Sequence, residues 1–119
     1  NKRVLIIDDE PDILKVTVFR VKKAGYEVLT ATTGKQGLET ADREMPDLIF
    51  LDLGLPEMTG EEVCAALKSN EKLKKIPVII LSASSDRIKK VSEAIGADDH
   101  VIKPFETEDL LARIKKFIG

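Results

Sequence analysis

The sequence predicts an α/β domain built on a five-stranded parallel sheet with helices on both faces. Three observations lead there. Strand-like and helix-like stretches alternate five times along the chain. The strand-like runs are apolar without strict alternation, the pattern of strands covered on both sides. The stretches between them are each long enough for a helix, so successive strands run parallel with right-handed crossovers.

The strands read over residues 3–8, 26–31, 47–52, 77–82 and 99–103. The first, Arg3-Val4-Leu5-Ile6-Ile7, runs into Asp8-Asp9. Pro11 then suits a first helical turn, and Leu14, Val18 and Val21 recur at helical spacing until Gly25 stops the helix. Val16-Thr17-Val18-Phe19 has strand propensity, so only length and flanking signals favour helix there. The second helix opens on Thr33-x-x-Gln36, a capping box, and is expected to bury Leu38, Ala41 and Met45. The third strand, Leu48-Ile49-Phe50-Leu51, ends in Asp52, and the third helix opens on a second capping box, Thr59-x-x-Glu62, and carries Val63, Ala66 and Leu67. Val78-Ile79-Ile80-Leu81 ends in Ser82, and the fourth helix places Ile88, Val91 and Ile95 on one face before Gly96. Val101-Ile102 ends in Lys103, and the fifth helix carries Leu110, Ile114 and Phe117, with Leu111 and Ile118 alongside.

Five such units fit the flavodoxin-like strand order 2-1-3-4-5, in which the first and third strands are neighbours. Ligands of such sheets bind in the crevice at the carboxyl ends of those two strands, where Asp8, Asp9 and Asp52 fall. No repeat, low-complexity segment or internal linker divides the chain, so residues 1–119 are expected to form one domain.

The bulk properties narrow the function. The chain has 119 residues, 43% hydrophobic and 34% charged, with a net charge of −2, which describes an ordinary folded domain. No basic block exceeds Lys22-Lys23 or Lys74-Lys75, so direct nucleic-acid binding is not expected. No apolar run approaches the ~20 residues of a membrane span, and with the first strand starting at Arg3 no signal peptide is expected. The lone Cys64 cannot form an internal disulfide, which points to a reducing compartment, the cytoplasm. The missing initiator Met points to a trimmed chain.

The acidic cluster carries the chemistry. At ~4 Å and an effective dielectric of ~20, each pair of carboxylates repels by about 4 kcal/mol. Either one holds a proton or a cation belongs among them. A hard divalent ion such as Mg²⁺ takes oxygen ligands and keeps several waters, so one or two carboxylates suffice. Lys103 adds a fixed positive charge and Ser82 a hydroxyl donor. Acceptor carboxylate, metal, ammonium and hydroxyl are the parts phosphoryl transfer needs. Taken singly, each has a plainer reading: an aspartate after a strand is more often a turn former or helix cap, Ser82 a turn residue, and Lys103 a solvated lysine. Convergence at one switch point reverses those odds. His100 reads as a strand or surface residue, Cys64 as packing, and Glu10 as the start of the first helix with no catalytic role.

The segments Val4-Leu5-Ile6-Ile7-Asp8-Asp9-Glu10-Pro11, Leu51-Asp52-Leu53-Gly54-Leu55-Pro56-Glu57-Met58-Thr59-Gly60, Ser82-Ala83 and Lys103-Pro104-Phe105 together closely resemble the receiver domain of bacterial two-component response regulators. The resemblance spans essentially the whole chain. It implies that Asp52 accepts a phosphoryl group from a phosphohistidine of a sensor kinase or histidine phosphotransfer protein. It implies direct Mg²⁺ ligation by Asp9, Asp52 and the Gly54 backbone carbonyl, with Asp8 acting through water. Lys103 would pair with the phosphoryl group, and the Lys103-Pro104 bond would be cis. Ser82 would turn to the phosphoryl oxygen and pass the change to the face made by the fourth helix, fifth strand and fifth helix. The domain would regulate an output domain or partner rather than act as an enzyme.

Two positions depart from the commonest pattern. His100 stands where the fifth strand usually carries Tyr or Phe, and a histidine there would make the switch sensitive to pH. Gly54 stands where many relatives carry a side chain, which leaves the phosphoaspartate lifetime open. Gly96-Ala97-Asp98-Asp99 and Asp109-Leu110-Leu111-Ala112-Arg113-Ile114-Lys115 resemble the subfamily whose receivers dimerise through that same face. Asp99, Arg113 and Lys115 match its charged positions, while Ala94 replaces its usual acid.

Three other functions compete. A haloacid-dehalogenase-like phosphatase needs a second aspartate two residues after the nucleophile, where Gly54 stands. A flavin module on the same fold needs a phosphate cradle after the first strand, where Asp8-Asp9-Glu10-Pro11 would repel one. A degenerate receiver acting only as a binding module is at odds with the intact set of Asp9, Asp52, Ser82 and Lys103.

Overall fold

The computed structural model describes residues 2–55, 57–83 and 96–119. Five parallel strands form one sheet in the order β2-β1-β3-β4-β5. They are β1 (Arg3–Ile7), β2 (Glu27–Ala31), β3 (Leu48–Asp52), β4 (Val78–Ser82) and β5 (Asp99–Ile102), each within one residue of its expected bounds at either end. Asp8 and Lys103 therefore lie one residue beyond their strands.

The sheet separates two apolar layers. Leu5, Ile7, Ile49, Leu51 and Ile80 pack with Ala41, Val63 and Leu67 on one side. Val4, Ile6, Phe50, Ile79, Leu81 and Val101 pack with Val21, Leu110 and Ile114 on the other. Burial on both faces explains why the strands read as continuous apolar runs. Each face takes alternate residues, so the parity of a position decides its layer.

Helix α1 (Pro11–Lys23) forms over the segment of mixed propensity; Thr17 and Val21 are buried, while Val16 and Phe19 face solvent. Gly25, at φ 104°, makes the turn into β2 in a conformation that favours glycine. Helix α2 (Gly34–Glu44) is capped by Thr33, whose hydroxyl accepts from Gln36 N. The reciprocal half of the expected capping box is shifted by one residue: Gln36 Oε1 accepts from Thr32 N at 2.8 Å. Met45 corrects the expectation of burial. It is the left-handed C-cap of α2, at φ 48°, and that reversal turns its side chain out to 40% exposure. Helix α3 (Gly60–Ser69) carries the full capping box of Thr59 and Glu62 and buries Val63, Cys64 and Leu67. The C-terminal helix (Thr107–Ile118) buries Leu110 and Ile114. The fourth predicted helix, with Ile88, Val91, Ala94 and Ile95, lies outside the described residues. No helix among the described residues is long and apolar enough to cross a membrane.

Candidate functional site

The register of the sheet brings the polar strand ends together. Ile7 pairs with Leu51, so Asp8 and Asp52 follow side by side on adjacent strands. Asp52 pairs with Leu81 and Ser82 with Ile102, which places Ser82 and Lys103 within a residue of the same edge. The Lys103 amide donates to Ser82 O at 2.8 Å and the Asp8 amide to Ala31 O at 3.0 Å, so backbone bonds hold both ends of the row. The Lys103-Pro104 peptide is cis, as expected.

Parity then sorts the side chains. Asp8, Asp52 and Lys103 continue the rows of Val4 and Ile6, of Phe50, and of Val101, all members of one apolar layer. The three converge: Lys103 Nζ lies 3.1 Å from Asp8 Oδ2 and 3.2 Å from Asp52 Oδ2. Asp8 is 1% exposed and the Lys103 side chain 10%. Ser82 continues the opposite row, through Ile80, and is buried at the pocket wall. His100 pairs with Ile80 and is half-buried, so it shares the sheet face of Ser82 two residues back from the rim. Asp9 is exposed and lines the pocket mouth with Glu10, Asp52, Gly54, Ser82, Ala83 and Lys103. The Gly54 amide donates to Asp52 Oδ1 at 3.0 Å and fixes the carboxylate's orientation.

Glu10 is the site residue that sequence reasoning missed. Its carboxylate is the nearest of the three to Lys103, at 2.6 Å, and the ligand atoms of Asp8, Glu10 and Asp52 all lie within 4.8 Å of one another. Reading Glu10 as a helix start was correct, since it is the N-cap residue of α1, but its side chain makes no capping bond. The signal was its spacing: it stands two residues after Asp8 and returns to the same side.

The electrostatics follow from this crowding. Burial pushes the Asp8 carboxyl above its usual value, and the Glu10 amide and Lys103 pull the other way. For Lys103, burial works to lower the pKa, but hydrogen bonds from its ammonium to Glu10 and Asp8 and the charge of Asp52 outweigh it and raise the pKa. The ammonium is therefore held charged. The oxygen-only donor set of Asp8, Glu10 and Asp52 suits a hard divalent cation such as Mg²⁺, and the cluster could hold a metal.

Comparison with known proteins agrees with the fold. The family model of the response regulator receiver domain matches residues 4–115, and the chain belongs to that family. The chain is 37% identical over 119 residues to the alkaline phosphatase synthesis transcriptional regulatory protein PhoP of Bacillus subtilis, covering 99% of this chain and 49% of that protein. It thus spans about half the length of the curated relatives it matches. Among solved structures, the chemotaxis protein CheY4 of Vibrio cholerae superposes with a TM-score of 0.91 at 32% identity, covering 98% of both chains. The receiver domain of the sensor histidine kinase PA1611 of Pseudomonas aeruginosa, described with a magnesium ion in its active site cleft, gives 0.90 at 26% identity and covers 100% of this chain and 98% of that one.

Proposed function

We propose that this domain takes a phosphoryl group onto Asp52 from a phosphohistidine and uses the change to control an output domain or partner. The observation that carries the reading is the meeting of Asp52 Oδ2 and Lys103 Nζ at 3.2 Å beside buried Asp8, at the carboxyl ends of the central strands. A carboxylate oxygen of Asp52 attacks phosphorus, and the P–N bond breaks. Its electron pair stays on the imidazole nitrogen, which takes a proton from solvent, and an aspartyl phosphate forms. The donor is a sensor histidine kinase or a histidine phosphotransfer protein, and the setting is the cytoplasm.

Asp9, Asp52 and the Gly54 carbonyl would hold Mg²⁺, with Asp8 acting through water. When bound, the ion neutralises charge across the acidic cluster and the transferring oxygens. Lys103 supplies a second positive charge from within hydrogen-bond reach of Asp52. The Asp52 carboxylate is already oriented by the Gly54 amide, so little reorganisation is needed at transfer. Ser82 and His100, which share one face of the last two strands, would carry the change outward.

On the distal face, Arg113 Nε and Lys116 Nζ each lie 3.6 Å from Asp99 Oδ2, and Lys115 is exposed. These charges would support a phosphorylation-linked homodimer. Sedimentation of a monomer both with and without a phosphoryl mimic would contradict the dimer.

The test of the function is incubation with acetyl phosphate and Mg²⁺, followed by intact-mass measurement. A gain of one phosphoryl group is expected, lost in Asp52→Asn and on removal of Mg²⁺. No gain in the wild-type domain would overturn the reading.

A further inference from the structure

We propose that Glu10 is a positioning residue for Lys103, keeping its ammonium at the pocket while Asp8 and Asp52 are engaged elsewhere. The inference rests on the function proposed above and adds a part to it. An ammonium has three N–H donors. In the structure they face three carboxylates, at 2.6 Å for Glu10, 3.1 Å for Asp8 and 3.2 Å for Asp52. Two of those acceptors are needed for other work during transfer: Asp52 becomes the acyl phosphate, and Asp8 faces the cation. Until the phosphoryl oxygens arrive to accept from it, the ammonium needs another partner, because its side chain is only 10% exposed.

Glu10 is the acceptor able to stay. Its side chain is half exposed, against 1% for Asp8 and 8% for Asp52, so it can follow the ammonium through small movements. It makes no helix-capping bond, so its carboxylate is not committed to α1. Its backbone is anchored all the same: Glu10 N donates to Asp8 Oδ1 at 3.0 Å, and Leu14 N donates back to Glu10 O. A side chain free to adjust on a fixed backbone is what a guide for a moving ammonium requires. Asp9 lines the same pocket, but the 2.6 Å contact with the Lys103 ammonium is made by Glu10.

The experiment has two arms, on wild type, E10Q, Lys103→Met and the double variant. In the metal-free domain, the side-chain ammonium signal of Lys103 is followed by ¹H–¹⁵N NMR and assigned by its loss in Lys103→Met. Exchange of its protons with water should quicken roughly three- to five-fold in E10Q, the size expected for loss of one half-exposed ion pair. In the second arm the rate of phosphorylation by acetyl phosphate is measured as Mg²⁺ is raised to saturation. E10Q should lower the saturating rate by a similar factor, and should leave it unchanged in the Lys103→Met background.

An unchanged ammonium exchange rate overturns the proposal. So does an E10Q effect that persists undiminished without Lys103, or one that shifts only the Mg²⁺ midpoint, which would make Glu10 a metal ligand. If the wild-type domain takes no phosphoryl group, the proposed function fails and this inference with it. If the wild type is modified and the E10Q pattern is absent, only this inference falls.

Discussion

Gly60→Ala is the substitution whose cost the structure defines most closely. Gly60 opens α3 directly over the end of β3, and its amide donates to Leu53 O. A Cβ there would lie 2.6 Å from Leu53 Cα, 2.7 Å from Asp52 O and 2.8 Å from Leu53 Cδ2. Two of these three atoms are backbone, so the clash is relieved only by moving α3 off β3. Overpacking of this kind costs about 1–3 kcal/mol. Alanine regains at most about 1 kcal/mol of helix propensity, and less at a first helical position. A net loss of about 1–2 kcal/mol is expected. With unfolding entropy near 2.1 cal/mol/K per residue, a chain of this length loses roughly 4 °C of Tm per kcal/mol, so Tm should fall by about 4–8 °C. Thermal unfolding followed by circular dichroism measures it. Gly34→Ala is the internal comparison: the nearest atoms to its Cβ, at 2.6–3.2 Å, belong to the side chains of Val63 and Met58 and not to backbone, so its loss should be smaller. A Gly60→Ala protein as stable as wild type would refute the reasoning. The same shift displaces the backbone of Asp52, so phosphoryl uptake should slow as well.

Cys64 offers a prediction in pH. Burial pushes its thiol up to about 11, with Lys68 opposing the shift and Asp98 adding to it. At pH 8 the native protein should resist a disulfide reagent that reacts at once after denaturation. The folded pKa lies above the unfolded one, so this contribution is intact below pH 9 and is lost as pH rises toward 11. Compared with Cys64→Ala, the wild type should lose about 2 kcal/mol more between pH 8 and 10.5 in urea denaturation; an equal loss in both would contradict the assignment.

Much of this was legible because strand ends and parity are local signals. Asp8, Asp52 and Lys103 each terminate an apolar run, and each continues a row belonging to one layer, so their meeting follows from register and pleat alone. Glu10 was missed because a residue before a proline-initiated helix has a ready local explanation, and only the tertiary approach of Lys103 gives its side chain another partner. Met45 was misplaced because helical spacing was carried one residue past the end of α2, where the left-handed C-cap reverses the side chain. Gln36 was read correctly as a capping residue, but whether its side chain reached Thr32 or Thr33 depended on loop geometry that spacing does not encode. The segment 16–19 has strand propensity, yet it is helical because its flanks and the burial of Thr17 and Val21 decide the matter.

Of the crowded carboxylates, Asp52 is the one proposed to accept the phosphoryl group. An acyl phosphate is reduced by borohydride to the alcohol, so trapping followed by peptide mapping names the acceptor. After treatment with acetyl phosphate and Mg²⁺, homoserine is expected at position 52, and nowhere in the peptide that carries Asp8, Asp9 and Glu10. Homoserine at position 8 or 9, the 5-hydroxynorvaline that a phosphorylated Glu10 would leave, or no reduced residue at all, would contradict it.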